Sequence, residues 1–318
     1  MNAIIVHGGN TYLPYISDCI EQFFIFNKNS ILYFIVDDYF PELDGLTQKH
    51  PNLKIVLRET LKPTFAHRFY LVANRSAHNR WRGGFWRYVV ERFFLIQEFM
   101  QQSGETNLLH FEYDNLIYAD INSYAEKFKA LSENTKILLP ADGDTRCIAG
   151  IMFIPSAESL AKFCNYYNAH FTIRVKNDML AFSDYINSKP ELCSTLPVVP
   201  KSYVSGKSEL VSQKGIAHTK LEQLANGIES LGTIFDAAAF GQFVGGIDQR
   251  NTDDKKTTIG FINPDAAYNV QNFQVEWKTI DGFQKPFIIY KNEVFPVFNL
   301  HIHSKNLNLY RSDTFAKE

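Results

Sequence analysis

Short apolar runs bounded by polar turns alternate along this chain with longer segments whose apolar residues recur every three or four positions. Ala3 to Val6, Ile31 to Val36 and Leu53 to Leu57 are Ile- and Val-rich runs, the pattern of strands buried on both faces. Tyr15 to Phe26, between the first two, has the spacing of an amphipathic helix. This β-α-β-β opening predicts an α/β fold with a mainly parallel central sheet and flanking helices. A further helix is expected from Phe85 to Gln101, with Phe85, Val89 and Phe93 on one core-facing stripe and Trp86, Val90 and Phe94 on the next.

Lys136 to Pro140 and Cys147 to Ile154 read as strands, with Asp142-Gly143-Asp144 as the turn between them. Ala157 to His170 and Asp178 to Asn187 read as helices. The C-terminal third changes character: Phe273 to Trp277, Phe287 to Tyr290 and Val294 to Ile302 alternate like antiparallel strands, and Asp281-Gly282 supplies a turn. Ser202 to Gly227 is polar and reads as a mobile loop followed by a helix. No repeat or low-complexity segment interrupts the pattern, so residues 1–318 are expected to form one domain. Its halves would be 1–120 and 121–318.

The 318 residues can bury a large core, and the net charge of -2 argues against general nucleic-acid binding. Cys19, Cys147, Cys164 and Cys193 are scattered without C-x-x-C spacing, which indicates neither a zinc site nor a disulfide framework and fits a reducing cytoplasm. The N-terminal apolar run is too short for a signal sequence. No stretch has the length of a membrane span, so any membrane contact would be peripheral.

Candidate chemistry begins at Glu112-Tyr113-Asp114, which follows the apolar run Leu108 to Phe111. Carboxylates at the end of a buried strand open into the crevice where α/β sheets place ligands. Mg2+ or Mn2+ is commonly held by such carboxylates together with substrate phosphates, so the triplet suggests a nucleotide-diphosphate ligand; it also suits a simple turn. Near the C-terminus, Asn299-Leu300-His301-Ile302-His303-Ser304-Lys305 read as a strand puts Phe298, Leu300 and Ile302 in the core and Asn299, His301 and His303 on the opposite face. That face offers metal ligands, with Lys305 as a phosphate partner, or is a solvated face with incidental histidines.

The stretch Lys54 to Arg92 carries Arg58, Lys62, Arg68, Arg75, Arg80, Arg82, Arg87 and Arg92 against Glu59 and Glu91. Such a bias attracts anions: one phosphate ligand, with a membrane surface or RNA as the competing readings. Ala73 to Gly84 within it is expected to close over a bound diphosphate. His7 and Gly8 end the first strand, and Gly8-Gly9 permits close approach of a ligand to the backbone. Asp37 follows the second strand, where it either contacts a base or ribose or forms a turn. Asp236 and Asp178 each open a predicted helix, so each is either a cap or a general base.

Taken in order, these blocks resemble the nucleotide-sugar glycosyltransferases of the GT-A fold, especially the glycogenin and bacterial lipopolysaccharide galactosyltransferase group. Arg92 on a helix ahead of Glu112-Tyr113-Asp114 is similar to that family's basic helix and D-x-D strand end. Cys147 to Ser156 is similar to its F-N-S-G-V-x-V-x-x-P-S block, Asn177 to Phe182 more loosely to its D-Q-x-x-L-N helix start, and His301 or His303 with Lys305 to its terminal His and Lys. Glu112 replaces the first Asp, Met179 stands where the helix-start Gln is usual, and no Pro-Trp follows Lys305.

The resemblance implies a GT-A-like enzyme of polysaccharide biosynthesis that moves a sugar, most simply from a UDP-sugar, to a glycan, lipid-linked or protein acceptor. It implies Mn2+ or Mg2+ held by Asp114 with His301 or His303, and Glu112 supporting the metal or contacting ribose. Lys305 and Arg92 would share the diphosphate charge, with Asp37, His7 and Gly8 on the nucleotide side. An inverting reaction needs an acceptor base, Asp236 first and Asp178 second. The rival readings are a sugar nucleotidyltransferase and a non-catalytic nucleotide- or sugar-binding protein.

Overall fold

The three N-terminal apolar runs form β1 (Ala3–His7), β2 (Leu32–Val36) and β3 (Leu53–Leu57), separated by α1 (Tyr15–Phe26) and α2 (Leu43–Lys49). The structure is a computed structural model that describes residues 1–73, 85–171, 177–251 and 258–314. The expected closure by Ala73 to Gly84, with Arg75, Arg80 and Arg82, falls on 74–84 and lies outside the described residues. Next come α3 (Phe65–Ala73), α4 (Phe85–Ser103), β4 (Leu108–Phe111) and β5 (Asn115–Ile117). The middle of the chain gives α5 (Ala125–Ser132), β6 (Ile137–Gly143), β7 (Arg146–Cys147), β8 (Ile151–Ile154), α6 (Ala157–Phe171), α7 (Asp178–Ser188) and β9 (Cys193–Leu196).

The central sheet runs β3-β2-β1-β4-β8-β6-β7, with β9 beside β6. Pairs β1–β2, β2–β3, β1–β4 and β6–β9 are parallel, while β8 runs against both β4 and β6 and β7 runs against β6. The expected α/β architecture with a mainly parallel central sheet is present. Having built β2 and β3 on one side of β1, the chain returns to lay β4 on the other. In open α/β sheets such a reversal is where ligands bind, which here is the carboxyl ends of β1 and β4.

Helix α4 is the central helix, and every residue from Val90 to Met100 is buried. A helix buried all round must pair its polar residues. Glu91 and Glu98 meet His67, and Arg92 meets Glu112 and Asp178. The first turn differs from expectation: Phe85 is exposed rather than core-facing.

The remaining elements are α8 (Lys201–Val204), β10 (Leu210–Val211), β11 (Ala217–His218), α9 (Ile228–Leu231), α10 (Phe240–Gly245), β12 (Gln274–Ile280), β13 (Phe283–Tyr290), β14 (Glu293–Pro296) and β15 (Asn299–His301). Ser202 to Gly227 is therefore not a plain loop; it contains the β10–β11 hairpin. Strand β6 continues through Gly143, and the expected turn shifts to Asp144-Thr145. Cys147 to Ile154 divides into two strands around Ala149-Gly150.

Val294 to Ile302 also divides. Pro296 has no amide to extend a ladder, and the chain leaves the β12–β13–β14 sheet to pair β15 antiparallel with β5. No helix among the described residues is long and apolar enough to cross a membrane.

Candidate functional site

The β15–β5 pairing builds the site. Its register sets His301 opposite Asn115, directly beside the turn that carries Glu112-Tyr113-Asp114. The amide of Ile302 donates to the Asp114 carbonyl at 2.9 Å, locking the two segments together. His301 Nε2 then stands 3.0 Å from Asp114 Oδ2 and 3.6 Å from Glu112 Oε2. Glu112, Asp114 and His301 each offer a ligand atom within 4.8 Å of the others. Two carboxylates and an imidazole make a donor set that could hold a divalent metal ion.

Two further observations fit a cation here. Asp114 Oδ1 is buried without a hydrogen-bond partner among the described residues. Gly150 leaves the space open: a Cβ there would lie 3.1 Å from His301 Nδ1, 3.2 Å from Glu112 Oε2 and 3.3 Å from Asn115 Nδ2. The Gly150 carbonyl accepts from the Glu112 amide at 2.8 Å and from Asn115 Nδ2 at 3.0 Å. Asn299 Nδ2 in turn donates to Asn115 Oδ1 at 2.7 Å. The sequence pattern put Asn299 on the His301 face but missed Asn115; the signal for Asn115 is an asparagine heading the otherwise apolar β5.

Lys305 pairs with Asp114 and adopts a left-handed backbone, φ 70°. Burial alone would raise the Asp114 pKa. The charges and hydrogen bonds of His301 and Lys305 overcome this and hold the carboxyl well below its usual range. His301 shows the complementary balance: burial pulls its pKa down, while Asp114 and Glu112 leave it raised.

His303 stands apart from this set. Strand β15 ends at His301, and the His303 ring turns aside, 5.9 Å from the His301 ring, where Nδ1 accepts from the Asp248 amide at 3.4 Å. Burial and the nearby Lys305 and His301 charges lower its pKa to about 4.

Arg92 reaches the site from α4, pairing with Glu112 and, at 2.8 Å, with Asp178. Asn177, not Asp178, caps α7: its side chain accepts from the Leu180 amide. Asp178 is left facing Arg92, and burial raises its pKa to about 6 against the Arg92 charge.

Asp236 resolves differently. It lies ahead of α10, buried, with Oδ1 accepting from the amides of Ala239 and Phe240 and Oδ2 from those of Gly241 and His301. Both oxygens are thus filled by backbone donors, and the carboxylate works as a brace for β15 rather than as a base open to an acceptor hydroxyl.

At the ends of β1 and β2, Asp37 Oδ2 accepts from the Gly9 amide at 2.7 Å, and Oδ1 lies 3.3 Å from Arg58. His7 Nε2 lies 3.0 Å from the Thr11 carbonyl, and the ring packs edge-on between Phe40 and Tyr113. Since Tyr113 is the middle residue of the acidic triplet, this contact joins the ends of β1 and β4. Gly8 also makes room for the Tyr88 ring: a Cβ would fall 2.5 Å from Tyr88 Cδ1.

No protein-family profile and no curated protein sequence matches the chain. Among solved structures it is similar to mouse xyloside xylosyltransferase 1, with 10% identity, TM-score 0.41, and 64% of this chain and 89% of that one covered. It is also similar to the glycosyltransferase GlyE of Streptococcus pneumoniae TIGR4, with 12% identity, TM-score 0.37, and 62% and 46% covered. A third is a cytidylyltransferase of Leptospira borgpetersenii, with 10% identity, TM-score 0.37, and 61% and 75% covered. The chain thus spans less than half of the pneumococcal enzyme. Likeness at this level leaves function to be read from the side chains.

Proposed function

We propose that the protein is a metal-dependent glycosyltransferase that moves a sugar from a nucleotide-diphosphate donor, most simply a UDP-sugar, to a glycan or glycoconjugate acceptor. One observation carries the reading: Glu112, Asp114 and His301 converge just beyond the carboxyl end of β4 with Lys305 beside them. Residues 1–120 hold the nucleotide, and 121–318 supply the acceptor side and the C-terminal metal- and phosphate-binding segment.

Asp114, His301 and Glu112 would hold an Mn2+ or Mg2+ ion, which would offset the charge that builds on a departing diphosphate. Lys305, freed from Asp114, donates to a phosphate oxygen. Arg92 fixes Glu112 from behind and adds positive potential. Asp37 and the His7–Tyr113 contact border the nucleoside, with the Gly8–Gly9 backbone between them. Asp178 is the carboxylate available to take a proton from the acceptor hydroxyl in an inverting reaction, because Asp236 is committed to four backbone amides. The four cysteines are free and buried, as a reducing cytoplasm would keep them.

The test is UDP release from a panel of UDP-sugars, with Mn2+ and after EDTA. Metal-dependent release from one of them supports the reading; tight donor binding without turnover under any acceptor would make this a nucleotide-sugar-binding protein.

A further inference from the structure

Helix α3 has its apolar stripe on the outside. Phe65, Phe69 and Val72 follow one another at helical spacing and are 78%, 45% and 76% exposed. His67 and Tyr70, on the opposite side, are buried. An amphipathic helix on a soluble core normally faces the other way, and nine residues with three large exposed apolar side chains form a surface that favours an apolar partner.

Exposed Lys62 and Arg68 flank the stripe. From Lys54 to Ala73 the one acidic residue is Glu59. Farther along, Glu91 is buried against His67 and Arg58 and presents no charge to the outside. An apolar stripe edged with cations complements an anionic lipid surface, where the side chains enter the acyl boundary and the cations meet headgroups. A second copy of the chain fits less well, because a twofold contact would bring one cation-edged stripe against another.

The stripe is rigidly tied to the site. His67 clamps α3 onto α4, with Nδ1 3.0 Å from Glu98 Oε1 and Nε2 3.1 Å from Glu91 Oε1. The residue after Glu91 is Arg92, which pairs with Glu112, and one turn earlier Tyr88 borders Gly8 at the end of β1. We infer that the Phe65–Phe69–Val72 face of α3 docks on an anionic bilayer.

The full-length protein is sedimented with vesicles of phosphatidylcholine alone and of phosphatidylcholine mixed with phosphatidylglycerol. The expected result is capture by the anionic vesicles, weakened by salt, and reduced about tenfold or more when Phe65→Ser and Val72→Ser are combined. Both residues lie outside the core and the site, so the variant should keep its melting temperature and UDP binding. The inference is overturned if the protein stays in the supernatant with both vesicle types, or if the variant binds as well as the parent. It is equally overturned if the free protein is a dimer that the variant converts to monomer, since a second copy then covers the stripe. Failure of wild-type UDP binding would strike the transferase reading instead and leave the vesicle result to be read by itself.

Discussion

His301 Nε2 lies 3.0 Å from Asp114 Oδ2, and the two residues are held in that relation by the antiparallel pairing of β15 with β5 rather than by the central sheet. The strand that brings the imidazole is braced from behind by Asp236, which accepts the His301 amide at 2.9 Å. Side chains with so many fixed neighbours are already close together, so little ordering would be needed for a cation to bind.

Asp114→Asn is expected to lower turnover about a hundredfold or more, because it removes a ligand charge from the point where the leaving group gains charge. The fold should survive, since no cavity is opened. Steady-state rates with saturating Mn2+ test this. Glu112→Gln should cost less, although it also loosens Arg92.

Gly150→Ala places a methyl group 3.1 Å from His301 Nδ1 and 3.2 Å from Glu112 Oε2. Displacing those side chains by a few tenths of an ångström should weaken metal affinity about tenfold or more, as loss of supporting contacts around metal ligands commonly does. Mn2+ titration followed by electron paramagnetic resonance reads this directly, and the thermal midpoint should move little.

Arg92→Ala leaves Glu112 and Asp178 facing each other without their shared cation, 7% of the Arg92 side chain being exposed in the parent. Breaking a buried pair from one side costs about 3–5 kcal/mol. Denaturant unfolding should show this loss. Adding Asp178→Asn should recover part of it, since the second carboxylate is then neutral.

His67 gives a pH dependence of stability. Burial lowers its pKa, but the hydrogen bonds and charges of Glu91 and Glu98 outweigh this and raise it above the ordinary 6.5. A histidine with a raised folded-state pKa contributes stability that is complete below its unfolded value and is lost as pH rises through the folded value. Melting temperature should therefore fall as the pH climbs above 6.5, and His67→Gln should flatten that decline. A parallel decline in parent and variant would assign the effect to other groups.

The parallel N-terminal strands were legible because continuous Ile and Val runs have few other solutions, and Asp114, His301 and Lys305 were legible because acids after a buried strand and a His-x-His-x-Lys tail are unusual together. The choice between His301 and His303 was not. It depends on where β15 stops, which is set by pairing with a strand far away in sequence. Asp236 and Asp178 looked alike, each an acid before a helix; what separates them is that Asn177 caps α7 while Asp236 collects four amides. The Gly150 cradle needed the break between β7 and β8, which an uninterrupted apolar run conceals. Helix α3 escapes periodicity for a different reason, since amphipathic spacing does not say which face is turned inward.

Calorimetric titration of UDP into the protein, once with Mn2+ and once after EDTA, tests the central claim most directly. The account predicts binding with Mn2+ that is lost or weakened at least about tenfold after EDTA, and that is equally weak in Asp114→Asn under both conditions. Equal affinity with and without the metal would contradict it, leaving Asp114, His301 and Lys305 as a structural ion cluster.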